Sequence, residues 1–420
     1  MMLSPPRRVF PRRVLVHEPS EVTRISDREE PAAVGGLRQE TVETIWSSVV
    51  RYYRVGLQPA LSLCIRRRGR IILDRSIGHA RGNEPGADGA EKEMATPDTL
   101  FNFFSGSKCV TAMMMHLLDE RGTISLEQPV AHWIPEFARH GKGRITIRDV
   151  LTHRAGIAAA PSSEARVELL GQPEKMLALI CDLHPESRPG RRLAYHAITG
   201  GFLLGEIVVR STGSSIREML RRELCQPLGF TNLNYGVSSD QLGRVAREAS
   251  TGPLPSPRFP LARQLRRSIG LGLEEVVSLA NHPEFLTGIV PSGNIIATAE
   301  EVSRFFELLL RKGTLRGHRI FSPETVHRAV AEQGPRDIDR IIMLPLRYGA
   351  GFMLGGNISF FGRNTRHSFG HLGFTNVLGW ADPERDISVA LMNNGKPFVT
   401  PELVLWLDIP ATISRHIGRI

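Results

Sequence analysis

Residues 101–110 read Phe-Asn-Phe-Phe-Ser-Gly-Ser-Lys-Cys-Val, and they carry the most informative pattern of the chain. Apolar residues at helical spacing follow, and Gly122 ends them, which predicts a helix from Lys108 to Arg121 with Ser105 at its start. Residues three apart share a helix face, so the Ser105 hydroxyl and the Lys108 amine are expected to lie within hydrogen-bond reach. A neutral lysine there can take the serine proton, and the helix N-terminus offers N–H groups to an oxyanion.

The Ser-x-x-Lys spacing is a weak signal alone, because a helix cap followed by a solvated lysine fits it equally well. Lysine is scarce in this chain, since arginine carries most of the positive charge. Only Lys108 has a serine three positions earlier. The six lysines are Lys92, Lys108, Lys142, Lys175, Lys312 and Lys396.

Composition narrows the possible partners. The chain has 420 residues, 41% of them hydrophobic, which is enough for a packed core and more than one subdomain. Its formal net charge is +10. The arginine clusters have no interleaved aromatic residues, and no zinc-finger or RNA-recognition motif accompanies them, so a solvated basic surface is favoured over nucleic-acid binding. These clusters are 7–13, 66–68 and 263–267.

Four widely spaced cysteines argue against a metal site or a disulfide scaffold. They are Cys64, Cys109, Cys181 and Cys225; the first two lie in apolar runs and are expected to be small buried hydrophobes. Prolines and arginines interrupt the N-terminal apolar residues, so residues 1–35 are predicted to form a flexible basic arm rather than a secretory signal. No apolar run is long enough to span a bilayer, and the expected location is the cytoplasm.

The order of elements predicts an α+β fold. A helix is expected over 37–53, a hairpin of strands over 60–66 and 70–76, and a loop over 82–98. Mostly helical patterns follow from 108 to 310, including 147–151, 199–210, 215–224 and 299–311, and then strands over 348–354, 359–361, 376–381 and 387–392 and a helix over 401–416. We therefore expect one antiparallel sheet, built from 36–104 and 335–420 and flanked by helices, with a mostly helical subdomain over 105–334.

Two further segments carry side chains suited to chemistry. Tyr195 follows a Pro-Gly turn in a loop, and beside a cationic lysine it would lose its proton more easily and serve as a base or proton relay. His371 and Gly373 lie where a strand begins; His371 could donate a hydrogen bond to substrate, and Gly373 would let substrate approach the backbone. His367 and His371 have a metal-binding spacing only on a helix, which their glycine-rich context disfavours.

Several common motifs are missing from the sequence. No serine has the Gly-x-Ser-x-Gly surroundings of a nucleophile elbow, and His-Glu-x-x-His, P-loop and dinucleotide-binding patterns are also lacking. These observations disfavour α/β-hydrolases, zinc peptidases and nucleotide-binding enzymes. A serine activated by a neutral lysine, as expected for Ser105 and Lys108, is compatible with the absence of these motifs and needs no cofactor or metal.

Three motifs in order resemble the serine β-lactamase and penicillin-binding-protein superfamily, in its class C-like branch with the family VIII carboxylesterases. They are Ser105-x-x-Lys108, Tyr195-His196-Ala197 and His371-Leu372-Gly373. The resemblance covers about 41–417 and implies a β-lactamase-related catalytic domain over 36–420 with a transpeptidase-like fold. The family-like context is Asp98-Thr99-Leu100-Phe101, Leu151-Thr152-His153-Arg154-Ala155-Gly156, Pro227-Leu228-Gly229-Phe230 and Tyr348-Gly349-Ala350-Gly351-Phe352.

The resemblance also implies roles for individual residues. Ser105 would be the acylated nucleophile, with Lys108 and Tyr195 as base and proton relay. The backbone N–H groups of Ser105 and Phe374 would form the oxyanion hole, and His371 would replace the third-motif lysine. Thr152 and His153 are taken as structural residues that hold a turn.

Two departures from the family pattern favour esters. Ala197 replaces an asparagine whose amide binds the side chain of β-lactam drugs, and His371 replaces a lysine that helps to hold a substrate carboxylate. The leading hypothesis is therefore a carboxylesterase that acts through an acyl-enzyme. The alternatives with the same machinery are a β-lactamase, a D-amino-acid peptidase or an acyltransferase, and a non-catalytic scaffold is the alternative of another class. The expected partner is a small ester or amide, bound by loops such as 158–166 and 252–281.

Overall fold

The computed structural model describes residues 12–161, 172–256, 258–334 and 336–420. Nine helices of eight residues or more lie in these ranges: α1 Gln39–Tyr53, α2 Ser107–Glu120, α3 Pro173–Asp182, α4 Thr199–Thr212, α5 Pro260–Ile269, α6 Leu273–Ala280, α7 Ala299–Leu310, α8 Pro323–Val330 and α9 Leu403–His416. Shorter helices span Pro19–Val22, Val130–Trp133, Ile147–Leu151, Ile216–Leu220, Gln226–Leu228 and Pro283–Thr287.

An antiparallel sheet of eight strands forms the centre of the fold. In spatial order its strands are β1, β3, β2, β11, β10, β9 and β8, with β4 paired to β3. A second sheet of three strands has the order β5, β7, β6. The strands are β1 Thr23–Ile25, β2 Ala60–Arg67, β3 Arg70–Arg81, β4 Glu93–Met94, β5 Phe101–Asn102, β6 Asn234–Tyr235, β7 Ile295–Ala297, β8 Met353–Leu354, β9 Phe369–Leu372, β10 Leu378–Asp382 and β11 Ile387–Asn393.

The predicted hairpin is present and shows why the sheet is buried on both sides. Arg68 and Gly69 connect β2 to β3 with φ of +53° and +77°, the backbone that a tight two-residue hairpin needs. Along β2, Leu61, Leu63 and Ile65 belong to one apolar cluster, whereas Cys64 belongs to the other. Alternate side chains of a strand point to opposite faces, so an uninterrupted apolar run fits a strand that is covered on both faces.

Helices cover the two faces of the sheet. On one face, Val42, Ile45 and Val49 of α1 join Ile409 and Ile413 of α9 in the cluster that contains Leu61. On the other face lies α7, whose Arg304 and neighbouring residues carry a dense set of ion pairs. These layers confirm the predicted α+β architecture with a sheet drawn from both ends of the chain.

The contact between α7 and the sheet is close. A Cβ on Gly379 of β10 would lie 2.5 Å from the Phe306 ring and 3.0 Å from Val302, so a side chain there would displace the helix. Ser388 of β11 donates a hydrogen bond to Glu307 over 3.1 Å. Helix α7 falls within the predicted helical segment 105–334, yet it packs on the sheet; the subdomain boundaries themselves remain a prediction.

The predicted flexible arm over 1–35 is wrong for the part that the structure describes. Thr23 to Ile25 pair with Ile77 to Arg75 and extend the sheet beyond β3. Glu29 accepts three hydrogen bonds from Arg75 at 2.6–3.0 Å, and Arg28 pairs with Asp74 at 3.1 Å. These contacts explain the order, because they cover the edge of β3 and neutralise its charges. Residues 1–11 lie outside the described residues.

Two predicted strands are shorter than expected or lie elsewhere. In 348–354 only Met353–Leu354 joins the sheet, because Gly351 (φ +101°) breaks the extended backbone. Residues 359–361 belong to a separate hairpin that pairs Ile358–Ser359 with Gly362–Arg363, where Gly362 has φ +114°. Among the described residues, none of the helices combines the length and hydropathy needed to cross a bilayer.

Candidate active site

Ser105 lies in a tight turn that leads into α2. The preceding residue, Phe104, has φ +47°, and Asn102 Oδ1 accepts the Phe104 N–H over 2.8 Å and holds that turn. A Cβ at Gly106 would lie 2.2 Å from the Phe103 ring, so this position requires glycine. The turn leaves Ser105 half-buried at the N-terminal end of α2, as the sequence predicts.

Lys108 lies beside Ser105 in a buried environment. Its Nζ is 3.3 Å from Ser105 Oγ and donates hydrogen bonds to the carbonyl oxygens of Ala197 (2.8 Å) and Ser292 (3.0 Å). No carboxylate of the described chain forms an ion pair with it. Burial lowers the pKa of Lys108 to about 7, so a large fraction of this amine is neutral near neutral pH.

Tyr195 lies next to both Ser105 and Lys108. Its ring centroid is 4.9 Å from Lys108 Nζ, and its hydroxyl is hydrogen-bonded to Ser105. Burial raises the pKa of Tyr195 above its usual value, so the phenol keeps its proton. The predicted tyrosinate is therefore not supported: the low-pKa group of the pair is Lys108, and a protonated Tyr195 is a donor.

Three residues that the sequence did not single out as catalytic hold Tyr195 in place. Asp339 Oδ1 accepts the Tyr195 N–H over 3.3 Å, and Ser268 Oγ donates to the Tyr195 carbonyl over 3.0 Å. The His153 ring lies 4.7 Å from the Tyr195 ring, and its Nδ1 accepts the His196 N–H over 3.2 Å. Burial lowers the pKa of His153, so it remains neutral and packs against the tyrosine. Its role matches the structural one expected for Thr152-His153.

His371 lies on β9 behind the wall of the site. It is fully buried, its Nδ1 is 2.7 Å from the Leu372 carbonyl oxygen, and its ring centroid is 6.0 Å from that of Tyr195. Burial lowers its pKa to about 3, so the ring is uncharged at neutral pH. Since His371 does not line the cavity described below, this geometry gives no support to its predicted hydrogen bond with substrate.

Gly373 and Phe374 do reach the site. A Cβ on Gly373 would lie 2.7 Å from the Phe103 carbonyl oxygen, so only glycine allows the end of β9 to pack against the turn before Ser105. The Phe374 ring packs at 5.6 Å from the Phe104 ring. The backbone around Phe374 and the start of α2 therefore meet at one end of the same cavity.

A cavity of about 650 Å³ opens at Ser105. Its few polar side chains lie among Ser105, Tyr195, Ser292, Thr375 and Asn376, and no charged residue or histidine occurs among the described residues that line it. The remaining wall is apolar or glycine: Phe104, Ala197, Ile198, Phe259, Pro260, Leu261, Leu265, Ile269, Val276, Leu279, Ala280, Phe285, Val290, Gly293, Ile342, Met343, Leu344, Met353, Phe360, Leu372, Gly373, Phe374, Pro397, Phe398, Val399, Leu403 and Trp406.

The predicted cleft loops can be compared with this wall. Segment 252–281 contributes two stretches, 259–269 and 276–280. Of segment 158–166, residues 158–161 do not line the cavity and residues 162–166 lie outside the described residues. Within the described ranges, no group of three or more His, Cys, Asp or Glu is arranged to hold a metal ion.

Comparison with known proteins places this chain in a family. The family model described as Beta-lactamase matches residues 49–409. The chain belongs to the beta-lactamase family. One curated relative, Esterase/beta-lactamase LipL of Mycobacterium tuberculosis, is 29% identical over 307 residues, which are 69% of this chain and 68% of LipL.

Two solved structures share the fold of this chain. A penicillin-binding protein homologue from Caulobacter crescentus aligns with a TM-score of 0.77 and 24% identity, over 91% of this chain and 99% of that one. A family VIII carboxylesterase aligns with a TM-score of 0.72 and 23% identity, over 89% and 98%. Together with the family model, these likenesses confirm the family resemblance that the three motifs indicated. They also confirm the predicted α+β fold.

The second motif of this beta-lactamase family member carries Ala197 where the family pattern has asparagine. The Ala197 carbonyl accepts the hydrogen bond from Lys108, and its side chain contributes a methyl group to the cavity wall. The substitution therefore preserves the backbone contact with the lysine and removes a polar group from the cavity.

A buried ion pair between Lys396 and Glu248 lies behind Phe104, and the sequence did not predict it. Lys396 Nζ lies 3.2 Å from Glu248 and 4.8 Å from the centroid of the Phe104 ring, and both charged side chains are fully buried. This pair joins the segment after β11 to the segment before α5 and packs against the residue that precedes Ser105. Glu248 and Lys396 are far apart in sequence, and no local motif marks such a contact.

Proposed function

We propose that the chain is a serine hydrolase that cleaves neutral carboxylic esters through an acyl-enzyme on Ser105. The observation that carries the proposal is the position of Lys108. Its amine lies 3.3 Å from Ser105 Oγ, and burial brings its pKa to about 7. A base with a pKa near the working pH is best suited to take the proton of a serine hydroxyl.

The proposed reaction has two halves. Ser105 Oγ attacks the ester carbonyl carbon while its proton moves to Lys108 Nζ, and the oxyanion is stabilised by the N–H groups of Ser105 and Phe374. The Tyr195 hydroxyl protonates the departing alkoxide and regains a proton from Lys108. Water then attacks the acyl-enzyme with the same groups in reverse order, releasing the acid and restoring Ser105.

Neutral apolar esters fit the site better than β-lactams or peptides. Both of the latter carry a carboxylate, and no cation occurs among the described residues that line the cavity. His371 is uncharged and lies behind the wall, and Ala197 offers no amide. A buried carboxylate without a charged partner is costly, which favours substrates without one. The esterase activity named for LipL agrees with this choice.

The same machinery leaves a β-lactamase, a D-amino-acid peptidase or an acyltransferase as second candidates. The name of LipL includes β-lactamase, which keeps that activity under consideration. An acyltransferase would use an alcohol in place of water, and an apolar cavity would suit such an acceptor. A non-catalytic scaffold has least support, since it has no need of a low-pKa lysine beside a serine.

Side-by-side turnover of p-nitrophenyl butyrate and nitrocefin tests the proposal. We expect kcat/KM for the ester to exceed that for the lactam by roughly a hundredfold, the effect of one missing charge-assisted hydrogen bond to the lactam carboxylate. Faster nitrocefin turnover would favour a β-lactamase. Failure of a fluorophosphonate probe to label the folded protein would favour a scaffold.

The pH dependence of ester hydrolysis follows from the lysine. The pKa of Lys108 is lowered to about 7, and only its neutral form accepts the Ser105 proton. We therefore expect kcat/KM to rise with pH through an apparent pKa of about 7 and to level off above it. A pH–rate profile with p-nitrophenyl butyrate measures this limb. A limb centred near the ordinary lysine value would contradict the role of Lys108.

Chain length tests the apolar cavity. Leu261, Leu265 and Ile269 lie on one face of α5 and line the wall. Each methylene added to the acyl chain of a p-nitrophenyl ester should raise kcat/KM by about fourfold until the cavity is filled. Leu265→Trp should remove this gain in kcat/KM for the octanoate ester and leave kcat/KM for the acetate ester unchanged. Leu254→Trp is the matched control, since Leu254 is exposed and outside the wall. Equal effects of both variants would contradict the assignment.

A further inference from the structure

A second concave surface continues the cavity outward. We name it the outer groove: it has a volume of about 780 Å³ and shares Leu344, Met353 and Phe360 with the cavity at Ser105. Its other lining residues are Glu332, Arg336, Pro345, Leu346, Arg347, Leu354, Gly355, Gly356, Asn357, Ile358, Ser359, Phe361, Arg366 and Leu407. The mouth of the active-site cavity and this groove therefore form one continuous face.

Large apolar side chains are exposed along this face. Ile358 is 84% exposed at the open end of its hairpin, and Leu407 of α9 is exposed and also lines the groove. Others border the cavity mouth: Phe259, Met343, Leu344 and Val399. A single exposed apolar residue needs no explanation, but a contiguous set around one opening marks an interaction surface.

Arginines flank these apolar residues on both sides. Arg336 and Arg366 line the outer groove and are exposed, and Arg258 and Arg263 are exposed around the start of α5, whose apolar face forms the cavity wall. The one carboxylate among the groove residues, Glu332, is bound by Arg347 at 2.8 Å. The face therefore combines apolar side chains with excess positive charge.

We propose that this face docks on anionic lipid surfaces. Apolar side chains between arginines are the composition that binds the interface of a bilayer with negatively charged headgroups, and neither element alone gives strong binding. The formal net charge of +10 favours approach to such a surface over the whole molecule. Docked in this way, the cavity mouth faces the lipid, and an apolar ester can enter without crossing water.

The outer groove lies far from the opposite edge of the central sheet, which supplies matched controls. Met353 and Leu354 form the edge strand β8, whereas Arg24 and Ile25 lie on the other edge strand, β1. Both Arg24 and Ile25 are exposed. Ile25→Ser and Arg24→Ser therefore remove the same types of side chain as Ile358→Ser and Arg366→Ser, at a surface that the proposal excludes.

The test is co-sedimentation of the intact protein with vesicles of phosphatidylcholine, alone or mixed equally with phosphatidylglycerol. We expect binding to the mixed vesicles only, and its loss at high salt. Arg366→Ser should weaken binding by about fivefold and Ile358→Ser by about tenfold, whereas Arg24→Ser and Ile25→Ser should leave it unchanged. Ser105→Ala should bind as the parent does, so this result is independent of the proposed hydrolase activity.

Three outcomes would overturn the proposal. The first is no binding of the parent to mixed vesicles, and the second is equal binding to both vesicle types. The third is the absence of vesicle binding together with a dimer of the parent in gel filtration that Ile358→Ser dissociates. That result would identify the face as an interface with a second copy of the chain. All four substituted positions are exposed, and a thermal melt confirms that each variant is folded.

Discussion

Ser105→Ala is expected to lower kcat for p-nitrophenyl butyrate by about 10⁴-fold or more, with little change in KM. The hydroxyl oxygen forms the covalent bond in the proposed reaction, and Ser105 Oγ accepts a hydrogen bond from Lys108 Nζ over 3.3 Å. The residual rate would come from the oxyanion donors and the apolar cavity, which the substitution leaves in place.

The expected loss is specific because Ser105 contributes little to stability. Its side chain is half-buried, and its hydrogen-bond partners are Lys108 and Tyr195. We expect the melting temperature to change by only a few degrees, within the range of a single lost hydrogen bond. Ser47→Ala, at an exposed serine of α1, is the control and should retain full activity. Retention of parental activity by Ser105→Ala would exclude the acyl-enzyme on this residue.

Lys108→Met is expected to lower kcat by about 10³-fold, the upper part of the range for loss of a general base. Methionine keeps the apolar stem and removes the amine. The carbonyls of Ala197 and Ser292 lose their donor, so some destabilisation is also expected, of about 1–3 kcal/mol. Activity must therefore be expressed per folded molecule, as measured by circular dichroism.

Two further variants distinguish a Lys108 that acts as a base from a Lys108 that only stabilises the structure. Lys108→Arg retains donors for the two carbonyls but stays charged at all accessible pH values, so it should be nearly as inactive as Lys108→Met. Lys142 is also fully buried and donates only to carbonyls, those of Arg139, Cys181 and Leu183, so Lys142→Met reproduces the structural loss away from the site. Activity of Lys108→Arg near the parental level would contradict the proposal.

Local patterns predicted the elements that position the proposed catalytic residues. The apolar spacing after Ser105 predicted α2 to within one residue at each end, and the Arg68-Gly69 turn located the central hairpin. These predictions succeed because hydrogen bonds within a helix or a tight hairpin involve residues close in sequence. The distance of 3.3 Å between Lys108 Nζ and Ser105 Oγ follows from the same local geometry.

Local sequence patterns could not predict contacts between segments that are distant in the chain. The pairing of Thr23 with Ile77 ordered part of an arm that composition alone suggested to be flexible. Burial of His371 and the high pKa of Tyr195 depend on neighbours from several elements, so neither could be read from residues beside them. The same holds for the ion pair of Glu248 with Lys396, and for the cavity wall contributed by α5 and α9.

Mass spectrometry of the trapped intermediate tests the central claim most directly. The intact protein is mixed with p-nitrophenyl octanoate, quenched in acid within one turnover, digested and mapped. We predict an octanoyl group on the peptide that contains Ser105, absent from Ser105→Ala and accumulating in parallel with a burst of p-nitrophenol. An octanoyl group on any other residue, or steady turnover by Ser105→Ala with no adduct, would contradict the account.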